Sequence, residues 1–356
     1  MTPSVVLVTG VSRYLGGHLA ARLAANPAIE RVLGVDTVPP SRDLLRRMGR
    51  AEFVRADIRN PLIAKVIASA GVDTVVHASL SANPGSSGGR TVMKEMNVIG
   101  TMQLLAACQK APAVRRIVLK SSTAVYGSSS RDPALFDETM TAKDLPSGGY
   151  AKDTVEIEGY LRGFSRRRPD VSVTVLRFAN FIGPRIDTVL TRYFALPFVP
   201  TVLGYDARVQ LLHEEDALAV LERATCEELP GVFNVAADGV LLLSQAIRRR
   251  RNARISSRAA SHAGASSAGS GSTGTGGGTG RAAVRGAVDQ RVRPPFAPTR
   301  RRPFSSGCSG ITRAVRVPTA DPLRASGTVL SSPTVIAGFG PGPALHARAT
   351  RPGPAG

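Results

Sequence analysis

The sequence predicts a doubly wound α/β fold, a parallel sheet covered by helices on both faces. Three observations carry that prediction. Residues 1–250 alternate short apolar runs with segments whose apolar residues recur every three to four positions. The opening run Val5-Val6-Leu7-Val8-Thr9 turns through Gly10 and reaches Gly16 at the head of such a segment. A second run, Val32-Leu33-Gly34-Val35, ends on Asp36, 20 residues beyond Gly16. Strand, glycine turn, helix, strand and acid in that register form a nucleotide-binding βαβ unit. In such a unit Gly10 makes the tight turn and Gly16 lets the helix pack close to the strand. The helix N-terminus receives a pyrophosphate on its free N–H groups. Asp36 accepts from the adenosine ribose hydroxyls, which favours NAD over NADP.

The remaining elements follow in order. Leu15, Leu19 and Leu23 form one stripe of an amphipathic helix. Val32–Asp36, Glu52–Ala56, Asp73–His77 and Arg116–Lys120 read as strands two to five. Met93, Met96, Gly100 and Leu104 mark a helix face whose glycine implies close packing on the sheet. Tyr150, Ile157, Leu161 and Phe164 give another stripe, and Val171–Phe178 a sixth strand. A ligand site is expected at the carboxyl ends of the strands.

Composition divides the chain. Of 356 residues 43% are hydrophobic, enough for one large domain or two smaller ones. The formal charge of +20 is concentrated after Arg250, where the last 106 residues carry 15 Arg, 2 Asp and neither Lys nor Glu. Residues 256–280 are almost wholly Ser, Ala, Gly and Thr, and no period of 3.6 or 2 is sustained beyond them. Such a stretch cannot bury enough apolar surface to offset its chain entropy, so residues 251–356 are expected to be a disordered basic tail. A polyanion-binding arm is one reading, although no interleaved aromatic pattern favours nucleic acid. The other is translation out of frame, since 40 Arg against 6 Lys point to GC-rich coding. The expected division is a dinucleotide-binding domain at 1–180, a partial substrate lobe with returning sheet elements at 181–250, and the tail. Cys108, Cys226 and Cys308 have no metal-ligand spacing, so no metal is expected. The first strand starts too close to Met1 for a signal peptide, and no apolar run reaches membrane-spanning length. A cytoplasmic protein without a membrane partner is expected.

Further motifs occur in a fixed order. Thr9-Gly10-x-x-x-x-x-Gly16 is followed by Ala56-Asp57-Ile58-Arg59, Val75-Val76-His77-Ala78 and Asn97-Val98-x-Gly100-Thr101. Then come Lys120-Ser121-Ser122-x-x-Val125-Tyr126-Gly127, Tyr150 and Leu176-Arg177-x-x-Asn180-x-x-Gly183-Pro184. His213-Glu214-Glu215-Asp216-Ala217 and Phe233-Asn234-Val235 close the series. Over about residues 4–247 this resembles the extended short-chain dehydrogenase/reductases, the NAD-dependent epimerase/dehydratase family.

The resemblance implies a Rossmann-type fold, NAD as cofactor, a nucleotide-sugar substrate and pairing of two copies through helices. It implies that Asp57 and Ile58 lie beside the adenine and that His77 and Ala78 follow the strand bordering the cofactor. Asn97 supports the active site, and Asn180 lies on the stretch that meets the sugar nucleotide. Ser122 and Tyr150 match the catalytic hydroxyl and the catalytic tyrosine. Bland readings stand beside these, a strand-capping His77 and a surface amide at Asn97.

The chain departs from the family in three places. Arg13 replaces the middle glycine, where it either hinders the pyrophosphate or pairs with it. The family's Tyr-x-x-x-Lys reads Tyr150-Ala151-Lys152-Asp153-Thr154 here, and Lys152 lies about 200° away on an ideal helix. The lost lysine would depress the tyrosine pKa, so chemistry is expected to be weak or absent. A non-catalytic dinucleotide-binding module is therefore the alternative. Thr123 and Ala124 occupy the acid/base positions of dehydratases, which disfavours dehydration. The recognisable C-terminal substrate lobe of the family is replaced by the basic tail.

Overall fold

Alternation along β1 (Val5–Thr9) decides how the sheet is covered. Val6 and Val8 point to one face and Leu7 to the other, and all three are completely buried. In this computed structural model, residues 2–250 are described except 84–88, 128–131, 134, 143 and 147–148. The sequence reading of 251–356 lies outside the described residues.

Seven parallel strands form the sheet. They are β1, β2 (Arg31–Asp36), β3 (Glu52–Arg55), β4 (Thr74–His77), β5 (Arg116–Ser122), β6 (Ser172–Phe178) and β10 (Gly231–Val235). Their spatial order is β10-β6-β5-β4-β1-β2-β3, so the winding reverses between β1 and β4. A crevice at that reversal, outside the carboxyl ends, is where such sheets take ligands.

Helices α1 (Tyr14–Ala25) and α8 (Glu214–Cys226) cover one face, with the short α2 (Arg42–Arg47) set against α1, burying Leu15, Leu19 and Leu23 with Leu218 and Leu221. Helices α3 (Leu62–Ala70), α5 (Gly100–Gln109) and α6 (Gly149–Arg167) cover the other. There Ile63, Ile67, Leu104, Ile157, Leu161 and Phe164 pack on the sheet. Between β6 and β10 lie β7 (Asn180–Ile182), α7 (Val189–Ala195), β8 (Arg208–Val209) and β9 (Leu211–His213). Leu190, Tyr193, Val209 and Leu211 give this insertion a small apolar cluster of its own.

Three local expectations change. The stripe Met93–Leu104 is not one α-helix. It breaks into α4 (Gly89–Lys94), a π-helical turn (Glu95–Ile99) and α5. The widened turn holds Asn97, which closes on the backbone of Ser81 with Oδ1 accepting at 3.1 Å and Nδ2 donating at 3.0 Å. Gly100 packs on Ile58 rather than on the sheet, and a Cβ there would come 2.8 Å from Ile58 Cδ1. β5 also runs two residues past the expected Lys120, because Ser121 and Ser122 pair with Arg177 and Phe178 of β6.

Candidate cofactor and catalytic site

The crevice begins at Gly10. Its φ of +78° suits glycine, and a Cβ there would lie 2.6 Å from Ser79 Cα. A Cβ on Gly16 would run into Gly10 O, so the first turn of α1 sits directly on the glycine turn. That first turn leaves N–H groups without intrahelical partners, the arrangement that receives an anion. Arg13 occupies the N-cap position with extended backbone, and its side chain caps nothing.

Asp36 fastens this turn to β2. Its Oδ2 accepts from Ser12 N at 3.0 Å and its Oδ1 from Thr37 N at 2.8 Å. The carboxylate stays half-buried at the strand end. Asp57 is engaged by Arg59, whose Nη2 donates at 2.7 Å and holds the carboxyl below its ordinary range. Arg59 also reaches Glu95 at 3.2 Å, tying the turn after β3 to the π-helical turn. Ile58 is buried there against Gly100.

His77 is internal. Thr101 Oγ1 spends its proton on Asn97 O, so it accepts from His77 Nε2 at 2.8 Å. Nδ1 then accepts from Thr9 Oγ1 at 2.9 Å, and that oxygen accepts from Ala78 N at 3.1 Å. The network assigns the Nε2–H tautomer. Burial, with the Lys120 charge, pushes the His77 pKa down to about 3. Both ring nitrogens therefore join β1, β4 and α5, leaving neither for a ligand.

Lys120, also buried, donates to Leu80 O at 2.6 Å, and burial with the Arg13 charge brings its pKa down to about 7. Ser122 ends β5 half-buried, its Oγ accepting from Ala124 N at 3.2 Å. Beneath it a buried network fixes β5 to α6. Ser121 Oγ donates to Glu158 Oε1 at 2.5 Å, and Arg177 pairs with Glu158 at 2.7 Å. Arg177 Nη1 donates to the Tyr126 hydroxyl at 2.8 Å.

Tyr150 lies in the first turn of α6. This helix precedes β6 and runs antiparallel to the strands, so its N-terminus stands at their carboxyl edge with Gly10, Asp36 and Ser122. Burial and the Asp153 carboxylate raise the Tyr150 pKa, and Arg13 opposes them. Thr154, at the family's lysine position, is completely buried and donates to Tyr150 O at 2.6 Å. Lys152 is exposed. Asn180 sits half-buried on β7, opposite Leu211 of β9.

Sequence reasoning missed Asp153 and Arg90. Asp153 is completely buried and receives both Arg90 Nη atoms at 2.6 Å, while Arg90 also donates to Gly149 O at 2.7 Å. Asn97 Nδ2 adds a bond to Asp153 at 3.3 Å. Its place three residues after Tyr150, on the same helix side, was the available signal. Among the described residues, no helix is long and apolar enough to cross a membrane, and no His/Cys/Asp/Glu group could hold a metal.

Comparison with known proteins agrees with this geometry. Residues 6–236 match the NAD dependent epimerase/dehydratase family. An uncharacterized protein of Mycobacterium tuberculosis strain H37Rv is 62% identical over 247 residues, covering 69% of this chain and 66% of that protein. The chain thus spans just under two-thirds of that relative's length. UDP-glucose 4-epimerase 3 of rice (Oryza sativa subsp. japonica) is 31% identical over 188 residues, 50% of this chain and 49% of the enzyme. The crystal structure of Thermus thermophilus UDP-glucose 4-epimerase in complex with NAD shares the fold at TM-score 0.59. Its identity is 22%, with 70% of this chain and 83% of that one covered. The cradle at Gly10 and Gly16, the acid ending β2 and the Ser122 and Tyr150 positions at one sheet edge accord with that family match: the chain belongs to the NAD-dependent epimerase/dehydratase family.

Proposed function

We propose that the chain binds NAD in the crevice above β1 and β4 and is an epimerase-like oxidoreductase of sugar nucleotides with a weakened proton-transfer step. The observation that carries this reading is the shared carboxyl edge, where the glycine cradle, Asp36, Ser122 and Tyr150 meet. The cradle fits a dinucleotide, since Gly10 and Gly16 let the turn close against Ser79 and against the first turn of α1, whose free N–H groups then face the crevice. Asp36 accepts from the adenosine ribose hydroxyls, with Asp57 and Ile58 beside the adenine and Ala78 along the cofactor. His77 and Asn97 hold the walls, and Asn180 meets the sugar nucleotide. Bound NAD supplies a hydride acceptor and donor.

The chain's own groups handle the proton. Tyr150 takes it from a sugar hydroxyl, and Ser122 donates a hydrogen bond to the oxygen as charge develops there. Tyr150 is half-buried beside Asp153, and desolvation and that carboxylate both favour its protonated form, so transfer is slow. That observation also favours the second reading, a dinucleotide-binding module without turnover. Calorimetric titration with NAD, followed by an assay for sugar-nucleotide interconversion, separates the two. NAD binding with slow interconversion supports the first reading, and binding with none at any enzyme concentration supports the second. Failure to bind NAD overturns both.

Two further parts belong to this proposal. An apolar groove between α5 and α6, lined by Met102, Leu105, Tyr160 and Gly163, is the surface through which two copies pair. Residues 251–356 are read as an out-of-frame continuation. Translation of the coding DNA near codon 249 in the other forward frames tests this, and an acid-bearing sequence with helical periods there supports it.

A further inference from the structure

Lys120 is a buried cation whose place is fixed from two sides. It lies on β5 two residues before Ser122, and alternation puts both on the face of Val118, away from Ser121 and Glu158. From there the side chain reaches past the strand ends. Its Nζ donates to Leu80 O at 2.6 Å, three residues beyond β4. It also stands 6.0 Å from the ring centre of Phe181, three residues beyond β6. In the sheet β5 lies between β4 and β6, so the ammonium sits over the carboxyl end of β5, on the floor of the crevice. The Leu80 carbonyl is held on both sides, with Ser79 against Gly10 and Ser81 tied to Asn97.

An ammonium has three N–H donors, and one is spent on Leu80 O. The residue is 8% exposed, and it makes no other hydrogen bond or ion pair among the described residues. The Phe181 ring attracts the charge but offers no lone pair. Acids on the surrounding elements are taken. Glu158 of α6 is paired with Arg177, Glu214 of α8 with Arg185 and Asp153 of α6 with Arg90. Asp36 of β2 is held by Ser12 N and Thr37 N. A buried cation left with two unmet donors is costly until acceptors reach it.

We propose that Lys120 is a binding residue for the dinucleotide, its two unmet N–H groups meeting acceptor oxygens of the nucleoside beyond the pyrophosphate. The assignment rests on the NAD reading and gives it a second anchor. In that reading Asp36 on β2 takes the adenosine end, and the α1 turn beside β1 takes the pyrophosphate. Neighbouring strands are about 4.8 Å apart, which puts β5, two places past β1, about 10 Å further along the edge. The far ribose, with its hydroxyls, and the base, with its carboxamide oxygen, are the parts of the dinucleotide that extend there.

The test is calorimetric titration of the full chain with NAD and with ADP, which ends at the pyrophosphate. Lys120→Met is expected to weaken NAD binding about tenfold or more, the worth of a hydrogen bond to a charged group, and to leave ADP binding unchanged. NAD affinity that does not fall, or falls no more than ADP affinity, overturns the proposal. A wild type that binds neither ligand overturns the NAD reading itself, and the assignment with it. A second measurement needs no substitution and covers the case in which Lys120→Met fails to fold. Burial with the Arg13 charge brings the amine's pKa down to about 7, which leaves it nucleophilic at mild pH. Brief treatment of the wild type with acetic anhydride, read by peptide mass spectrometry, is expected to acetylate Lys120 in the free chain and with ADP bound. Bound NAD is expected to spare it. Lys120 untouched throughout, or acetylated equally with NAD present, overturns the proposal.

Discussion

The first turn of α1 and the first turn of α6 stand at one edge of the same sheet, yet they depart from the family in opposite ways. At α1 the glycines of the backbone cradle are kept, and the one foreign residue is the exposed Arg13 at the N-cap. At α6 the tyrosine is in place, but its lysine has become a buried threonine beside a buried carboxylate. Holding a dinucleotide needs close backbone approach and an acid at the β2 end. Moving a proton needs a charge balance around one hydroxyl. The two requirements sit on different elements, so one can fail while the other is kept.

Breaking the α1 side should give the largest effect. Gly16→Val forces a side chain into Gly10 O, and overpacking of this kind costs about 3 kcal/mol. The variant should melt well below the wild type and lose NAD binding. A variant that binds NAD normally would mean that the cradle does not receive the dinucleotide.

Per pH unit, the acid response of the walls between the two turns comes next. His77 is held neutral with a pKa of about 3, against an ordinary value of 6.5. The unfolded chain therefore takes up the proton first. Its stabilising contribution is complete above pH 6.5 and falls by about 1.4 kcal/mol per pH unit on acidification toward pH 3. Denaturant unfolding at several pH values should show this slope, and His77→Gln should flatten it. An unchanged slope would show that His77 is not locked between Thr9 and Thr101.

A smaller effect sharpens the α1 side. Asp36 repels a 2′-phosphate, so NAD should bind about tenfold more tightly than NADP, close to 1.4 kcal/mol. Arg13 and Arg42 are the competing influences. Equal or tighter binding of NADP in calorimetry would mean that one of them captures the phosphate.

Much of the α1 side was legible in the sequence because it is local. Gly10, Gly16 and Asp36 fall within one βαβ unit, where spacing alone sets geometry. The doubly wound parallel sheet followed from alternation of strands and helices, and the place of the site at its carboxyl edge from parallel winding, whereas the spatial order of the strands did not. The α6 side depends on long-range pairs. Arg90 finds Asp153 across 63 residues, and no periodicity announces that contact. The π-helical turn was hidden because Met93, Met96, Gly100 and Leu104 also fit a regular helix. Gly100 looked like a sheet contact, and its true neighbour Ile58 lies on a different loop. The threonine at position 154 was visible from the start, whereas the buried anion beside it was not.

Side-by-side measurement of NAD affinity and sugar-nucleotide turnover in the wild-type chain and in Thr154→Lys tests the division between the two turns most directly. A lysine at 154 places a cation one helical turn from Tyr150, where a correctly poised base contributes roughly a hundredfold. The expected result is turnover raised by about tenfold or more, with NAD affinity nearly unchanged. Turnover that is already efficient in the wild type and indifferent to Thr154→Lys, yet abolished by Tyr150→Phe, would contradict it.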